Sequence, residues 1–300
     1  MEVSEVRLHA FGRACHFVVD NGDRLGPERL DQAQLEIDRL EQKYCSYQPD
    51  STISRINQAA GTGSPVPLDT EARSLFEFVQ ALWDQSRHLF DPTTHILLNC
   101  YDSEGRLRAS PRQLQGILKL VGMGYLEISD AGALLTRKGM VMDLNSCVRP
   151  YALDCVRKKL SRDGTLHALI ELDQDVTTIG KQPGGANWLI GARLPKGSRA
   201  VVNRMKLNGR GYTIRGDFEQ ATLTDGERFG RALSPVDGQA LPGPLSVGVI
   251  ADTCLEACGA ASVARMKTEA AAIQWLENLG LDWFLVDRQL NCHGPLAPDN

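Results

Sequence analysis

From residue 143 to 154 the chain reads Asp-Leu-Asn-Ser-Cys-Val-Arg-Pro-Tyr-Ala-Leu-Asp. This stretch is a strand end that feeds a helix. Asn145 or Ser146 can cap the helix, because a short polar side chain accepts the backbone N–H groups that a first turn leaves unpaired. Val148, Ala152, Cys155 and Val156 recur at helical spacing and give it an apolar stripe. A strand running straight into such a helix in mid-chain requires helices and sheet to share a core.

The rest of the chain agrees with that requirement. Residues 5 to 20 alternate as one opening strand. Pro27 starts a helix that carries Leu30, Leu35, Ile37, Leu40 and Tyr44. A turn at 46–51 leads into a short helix ending near Asn57. Asp69 or Thr70 caps a long helix through Leu89, with Leu75, Phe78, Val79, Leu82 and Trp83 inward. Pro111 opens a helix over 112–122, and 125–143 reads as a hairpin turning at Asp130-Ala131-Gly132. After the helix at about 146–162, strands are expected over 167–179 and 188–194, joined by a Gly/Pro turn at 180–185. Residues 199–250 are strand and loop, with turn signals at Asn208-Gly209, Asp225-Gly226 and Asp237-Gly238. One helix covers about 254–279, Trp283 to Val286 is a last strand, and the tail after Cys292 is loop. The expected class is α+β, with helices early and a mixed or antiparallel sheet later.

Composition limits the function. Three hundred residues suffice for one large domain or two intimate lobes. With 42% hydrophobic residues a full core is available. The net charge of -4 and a pI near 5.9 argue against a general nucleic-acid surface. The first twenty residues lack the basic start and long apolar core of a secretion signal, and no apolar run of about 18 residues suggests a membrane span. A cytoplasmic location is expected. The eight cysteines are scattered, without zinc-ribbon spacing. Cys254 and Cys258 share a helix face; a buried thiol pair is the plain reading, a soft-metal or redox site the other. His88 and His95 lack a third ligand, and no glycine-rich phosphate loop lies between a strand and a helix.

Several segments, in order, resemble one family. Arg7 to Phe17 stands where FAD:protein FMN transferases (ApbE-like proteins) have an opening strand with Met-Gly-Thr, here Phe11-Gly12-Arg13. Residues 46–57 resemble an S-x-y-x-x-d-S-e-i-s-x-l-N element, and Phe90-Asp91-Pro92-Thr93 an F-D-P-T turn. Residues 143–154 resemble D-L-G-G-I-A-K-G-Y-A-V-D. Asp175-Val176 matches the end of a strand closing in G-G-D-I. Trp188 to Pro195 resembles W-x-I-G-I-x-x-P, and Arg215 to Glu219 resembles S-G-D-Y-E. Arg231 to Gly238 resembles H-I-I-D-P-x-T-G, and Val249 to Ser262 resembles V-I-A-P-T-x-L-E-A-D-G-x-x-T. The resemblance covers nearly the whole chain.

It implies a single domain over 1–300, two closely packed lobes and a flavin-nucleotide cleft between them. The implied reaction splits the pyrophosphate of FAD and attaches FMN to a Ser or Thr hydroxyl of a target protein, assisted by Mg²⁺. Tyr151, Asp154, Asp175, Arg149 and Arg231 fall at or beside positions near the nucleotide. The metal positions correspond to the Val148 carbonyl, Ser262 and Cys258. The departures lie at this site. Asn145-Ser146 and Asp173-Gln174 replace glycine pairs, Arg149 a lysine, Pro150 a glycine, Arg231 a histidine and Cys258 an aspartate. A thiol is a soft, poor ligand for Mg²⁺, and arginine binds phosphate but serves as no base. A rival expectation follows: a non-catalytic relative that holds a flavin nucleotide or a partner protein.

Overall fold

The computed structural model of this protein describes residues 3–102, 106–192, 194–195, 205–216 and 232–297, with 222–224 and 227–229 as backbone alone. Its elements run β1 (Val3–Ala10), β2 (Arg13–Asp20), α1 (Gly26–Tyr44), α2 (Thr52–Gln58), α3 (Thr70–Gln85), α4 (Pro111–Leu118), β3 (Leu126–Ser129), β4 (Gly132–Leu135) and α5 (Asn145–Arg162). There follow β5 (Ala168–Leu172), β6 (Asp175–Ile179), β7 (Trp188–Ile190), β8 (Met205–Leu207), β9 (Gly211–Gly216), β10 (Thr222–Thr224), β11 (Glu227–Phe229) and β12 (Ser246–Ala251). α6 (Cys254–Arg265), α7 (Glu269–Leu279), β13 (Asp282–Val286) and β14 (Cys292–His293) complete the order.

The fold is α+β. Eight strands form the main sheet in the order β1-β2-β5-β6-β9-β12-β13-β14, and every neighbouring pair is antiparallel. The sheet is thus built from both ends of the chain, rather than from its later half. Helices α1, α5 and α6 cover one face, α5 packing on β5, β6, α1 and α6, and α6 on β9 and β12. Leu169, Val176, Tyr212, Ile214, Ile250 and Phe284 join Trp188, Met205 and Leu207 of the β7–β8 hairpin in a second cluster. The apolar stripe read in α5 holds for Val148, Ala152 and Val156, which are fully buried; Cys155 is half-buried.

Local chemistry explains where the elements stop. The opening strand is two strands, because Phe11 and Gly12 take positive φ and reverse the chain. The strand expected over 167–179 is the β5–β6 hairpin, reversed at Asp173, whose φ is 57°; aspartate tolerates the left-handed region better than most side chains. Asp69 accepts the Ala72 N–H and caps α3, which ends at Gln85 before Arg87 and His88 turn left-handed. α4 begins behind a Ser110–Gln113 capping box and stops at Leu118. The helix expected over 254–279 is two helices, the second opening after Thr268. At α5 neither Asn145 nor Ser146 caps: Leu144 occupies the cap position, and the Asp143 carboxylate accepts the Asn145 N–H at 2.8 Å. No helix among the described residues is long and apolar enough to cross a membrane.

Candidate functional site

Three segments meet at the start of α5. The first is the Phe90–Thr93 turn. Asp91 accepts the Thr93 N–H at 2.8 Å, the Thr93 hydroxyl at 2.6 Å and the Met123 N–H at 2.6 Å, and Thr93 accepts the Gly122 N–H at 2.7 Å. Asp91 therefore locks this turn and spends its oxygens on protein. The Pro92 carbonyl accepts the Asp143 N–H at 3.1 Å, which fixes the approach to α5. Asn57 clamps the same approach, pairing both ways with the Met142 backbone.

The second segment is the first turn and a half of α5, and here Pro150 matters. Proline has no N–H, so a proline inside a helix leaves the carbonyl four residues earlier without its helical donor. That carbonyl belongs to Ser146. It is taken instead by Arg215 Nη2 at 3.0 Å and the Cys258 thiol at 3.3 Å. The third segment brings those two residues: Arg215 from the end of β9, Cys258 from α6. Gly211 permits the approach, since a Cβ there would sit 2.3 Å from the Cys254 nitrogen at the start of α6.

Arg215 is the hub. Its Nη1 donates to Asp175 Oδ1 at 2.7 Å and to the Ile214 carbonyl at 3.1 Å; Nη2 reaches Asp175 Oδ2 at 3.3 Å and Cys258 Sγ at 3.2 Å. Asp175 is 1% exposed and also accepts the Thr213 hydroxyl. Burial opposes the charge on Arg215, but Asp175 and Cys258 outweigh it and raise its pKa, so the guanidinium stays protonated. The Cys147 thiol, hydrogen-bonded to Cys258, pulls the Cys258 pKa down, with Arg215 adding to the pull against burial; Cys147 itself is pushed up.

A cleft of about 280 Å³ opens beside this hub, lined among others by Thr94, His95, Asp143, Ser146, Arg215, Ser262 and Arg265. Asp143 is oriented by the Ser46 hydroxyl at 2.5 Å and by Asn145 Nδ2 at 2.9 Å. Of the residues selected from sequence, Ser262 lines the cleft, its hydroxyl 3.8 Å from Cys258 Sγ. Asp175 stands behind Arg215. Arg149 donates to Asp173 at 3.1 Å and to the Asn145 carbonyl at 3.1 Å. Tyr151 points to Glu71, donating to Oε1 at 3.1 Å. Asp154 accepts the Cys254 and Leu255 N–H groups and holds the start of α6. The Val148 side chain is buried in the core; the carbonyl engaged by Cys258 and Arg215 is that of Ser146. Arg231 lies outside the described residues. Sequence reasoning did not reach Arg265, read Ser146 only as a helix cap and a replaced glycine and His95 only as an incomplete metal ligand, and took Arg215 only as the start of a matched segment; a charged residue at the end of an apolar strand was the available signal for its place in the site.

The donors do not fit Mg²⁺. That ion wants near-octahedral hard oxygens, and Cys258 offers soft sulfur with the Arg215 guanidinium 3.2 Å from it. Of the carboxylates here, Asp175 is paired with Arg215, and Asp143 accepts from Ser46 and Asn145. Among the described residues no three His, Cys, Asp or Glu side chains group as a metal cluster.

With this geometry established, its relatives can be placed. The sequence model of the ApbE family matches residues 11–285. The FAD:protein FMN transferase of Haemophilus influenzae is 24% identical over 260 residues, 83% of this chain and 75% of that protein. The protein of the same name from Chlamydia trachomatis is 24% identical over 283 residues, 90% of this chain and 87% of that one. The apo structure of the Pseudomonas stutzeri flavinyl transferase ApbE superposes with a TM-score of 0.80 at 25% identity, covering 96% of this chain and 92% of its own. The ApbE protein of Thermotoga maritima gives 0.83 at 24% identity over 98% and 97%, a likeness of fold. A family match across nearly the whole length, on an α+β frame that superposes on solved members, establishes that this chain belongs to the ApbE family.

Proposed function

We propose that this protein takes FAD as substrate in the cleft beside Arg215 and transfers its FMN half to a Ser or Thr hydroxyl of a target protein. The observation that carries the reading is the family match over residues 11–285, whose curated relatives bear that activity in their names. The cleft suits the substrate's charge, since Arg215 and Arg265 line it and arginine pairs well with phosphate oxygens. In the step, the acceptor oxygen attacks the phosphorus of the FMN half. The P–O bond to AMP breaks and AMP leaves, while the hydroxyl proton passes to a base. Histidine exchanges protons near neutral pH, and His95 is the histidine lining the cleft among the described residues. No step runs through Mg²⁺.

Cys258, with the Arg215 guanidinium 3.2 Å from its sulfur, favours a second reading, a relative that holds the flavin nucleotide without turning it over. One experiment separates the two. Purified protein is titrated with FAD by flavin fluorescence, then incubated with a Ser/Thr acceptor protein and assayed for AMP and for flavin bound covalently to the acceptor. Binding with AMP release and labelled acceptor supports transfer. Binding with neither product leaves the holding role, and absence of binding removes both.

A further inference from the structure

We propose that the Arg215 guanidinium is the resident cation of this site, so that the cleft receives the phosphates of its ligand without a divalent metal. The identity of the ligand rests on the flavin-nucleotide reading above; the exclusion of a metal rests on side-chain geometry alone.

Three features form one arrangement. Pro150 leaves the Ser146 carbonyl without a helical donor. Arg215 fills that vacancy at 3.0 Å, and Cys258, where the family resemblance implies an aspartate ligand, gives Arg215 a soft acceptor at 3.2 Å instead of a negative oxygen. The polarity is directed. Asp175 is buried behind the guanidinium, 1% exposed, whereas the Arg215 side chain is 13% exposed and lines the cleft. A ligand entering there meets the positive end of the pair. A metal bound at Cys258 would instead have to sit against the guanidinium, which lies 3.2 Å from the sulfur and is held in place by Asp175.

The test uses the wild-type protein first. Mn²⁺ paramagnetic resonance, with Mn²⁺ at the protein concentration and no nucleotide, should show the signal of free Mn²⁺ undiminished. FAD titrated in EDTA and in Mg²⁺ should bind with the same Kd within about threefold. Arg215→Met should weaken FAD binding by about tenfold or more, with or without Mg²⁺, as loss of a charge-assisted contact requires. A protein-bound Mn²⁺ signal overturns the proposal, as does FAD binding that requires Mg²⁺ or that Mg²⁺ restores in Arg215→Met. If FAD binds in neither buffer, the flavin reading fails, and the Mn²⁺ measurement still decides the cation question. If Arg215→Met does not fold, as judged by circular dichroism, both wild-type measurements remain decisive.

Discussion

At the scale of single residues, the site depends on charges that are cheap only in company. Asp175 and Arg215 are both withdrawn from water and satisfy one another through two contacts. Breaking a buried pair from one side leaves the other charge uncompensated and costs about 3–5 kcal/mol, whereas replacing both members by apolar groups costs much less. Asp175→Asn is therefore expected to lower the unfolding free energy by about that amount in urea titration, and the double variant Asp175→Asn, Arg215→Met by less. His95 is exposed at the cleft, where the proposed transfer needs a base. His95→Gln is expected to lower the rate of acceptor labelling by about 100-fold, the usual contribution of a positioned base, with the Kd for FAD unchanged; an unaltered rate would remove His95 from the mechanism. Sequence alone singled out Asp175, Cys258 and Ser262, because they stand in recognisable segments. It passed over Arg215 as a partner, because the contacts that define the site join residues 69, 43 and 112 positions apart, and no local pattern records them.

At the scale of elements, what was legible is what the chain decides locally. Asp69 caps α3, Pro111 opens α4, and the Asp130-Ala131-Gly132 turn closes the β3–β4 hairpin. The misread reversals, at Phe11-Gly12 and Asp173-Gln174, are tight turns in which Phe11 and Asp173 adopt positive φ. Neither carries the Asn-Gly or Asp-Gly pair that announces a hairpin, so alternation ran through them unbroken. Asp154 shows a functional candidate serving an element. Its carboxylate accepts the N–H groups of Cys254 and Leu255 at 2.9 and 2.8 Å, at the end of α6 where the helix dipole favours negative charge. Thr253 caps the same helix through the Glu256 N–H. Asp154→Ala is expected to cost about 1–2 kcal/mol and to speed amide exchange at Cys254 and Leu255. Because α6 carries Cys258 and Ser262, FAD binding should weaken with it; unchanged exchange at those two amides would show that Thr253 suffices as the cap.

At the scale of the whole molecule, an ionic knot joins three helices far apart in sequence. Glu71 of α3 accepts from Arg39 of α1 at 2.8 and 3.0 Å, from Lys43 of the same helix, and from the Tyr151 hydroxyl of α5. α5 carries Ser146, so the knot also holds the helix that begins the site. The Arg39 hydrogen bonds, then Lys43, hold the Glu71 carboxyl down at about 2 against an ordinary 4.5, with burial opposing them. A carboxylate depressed in the folded state binds fewer protons there than in the unfolded chain. Its contribution to stability is complete above about 4.5 and is lost as the pH falls from there through about 2. Asp69, bonded to Lys43 at 2.6 Å and likewise depressed, loses its contribution in the same direction. Half-exposed pairs of this kind are individually worth about 1 kcal/mol or less, so the knot acts through its members together. Urea midpoints measured at pH 6, 4, 3 and 2 should fall steeply for the wild-type protein below pH 4.5. Those of Glu71→Gln should start lower at pH 6 and fall less, the two curves converging near pH 2. Parallel curves would mean that Glu71 titrates alike in the folded and unfolded chains, and that packing alone holds α5 against α1 and α3.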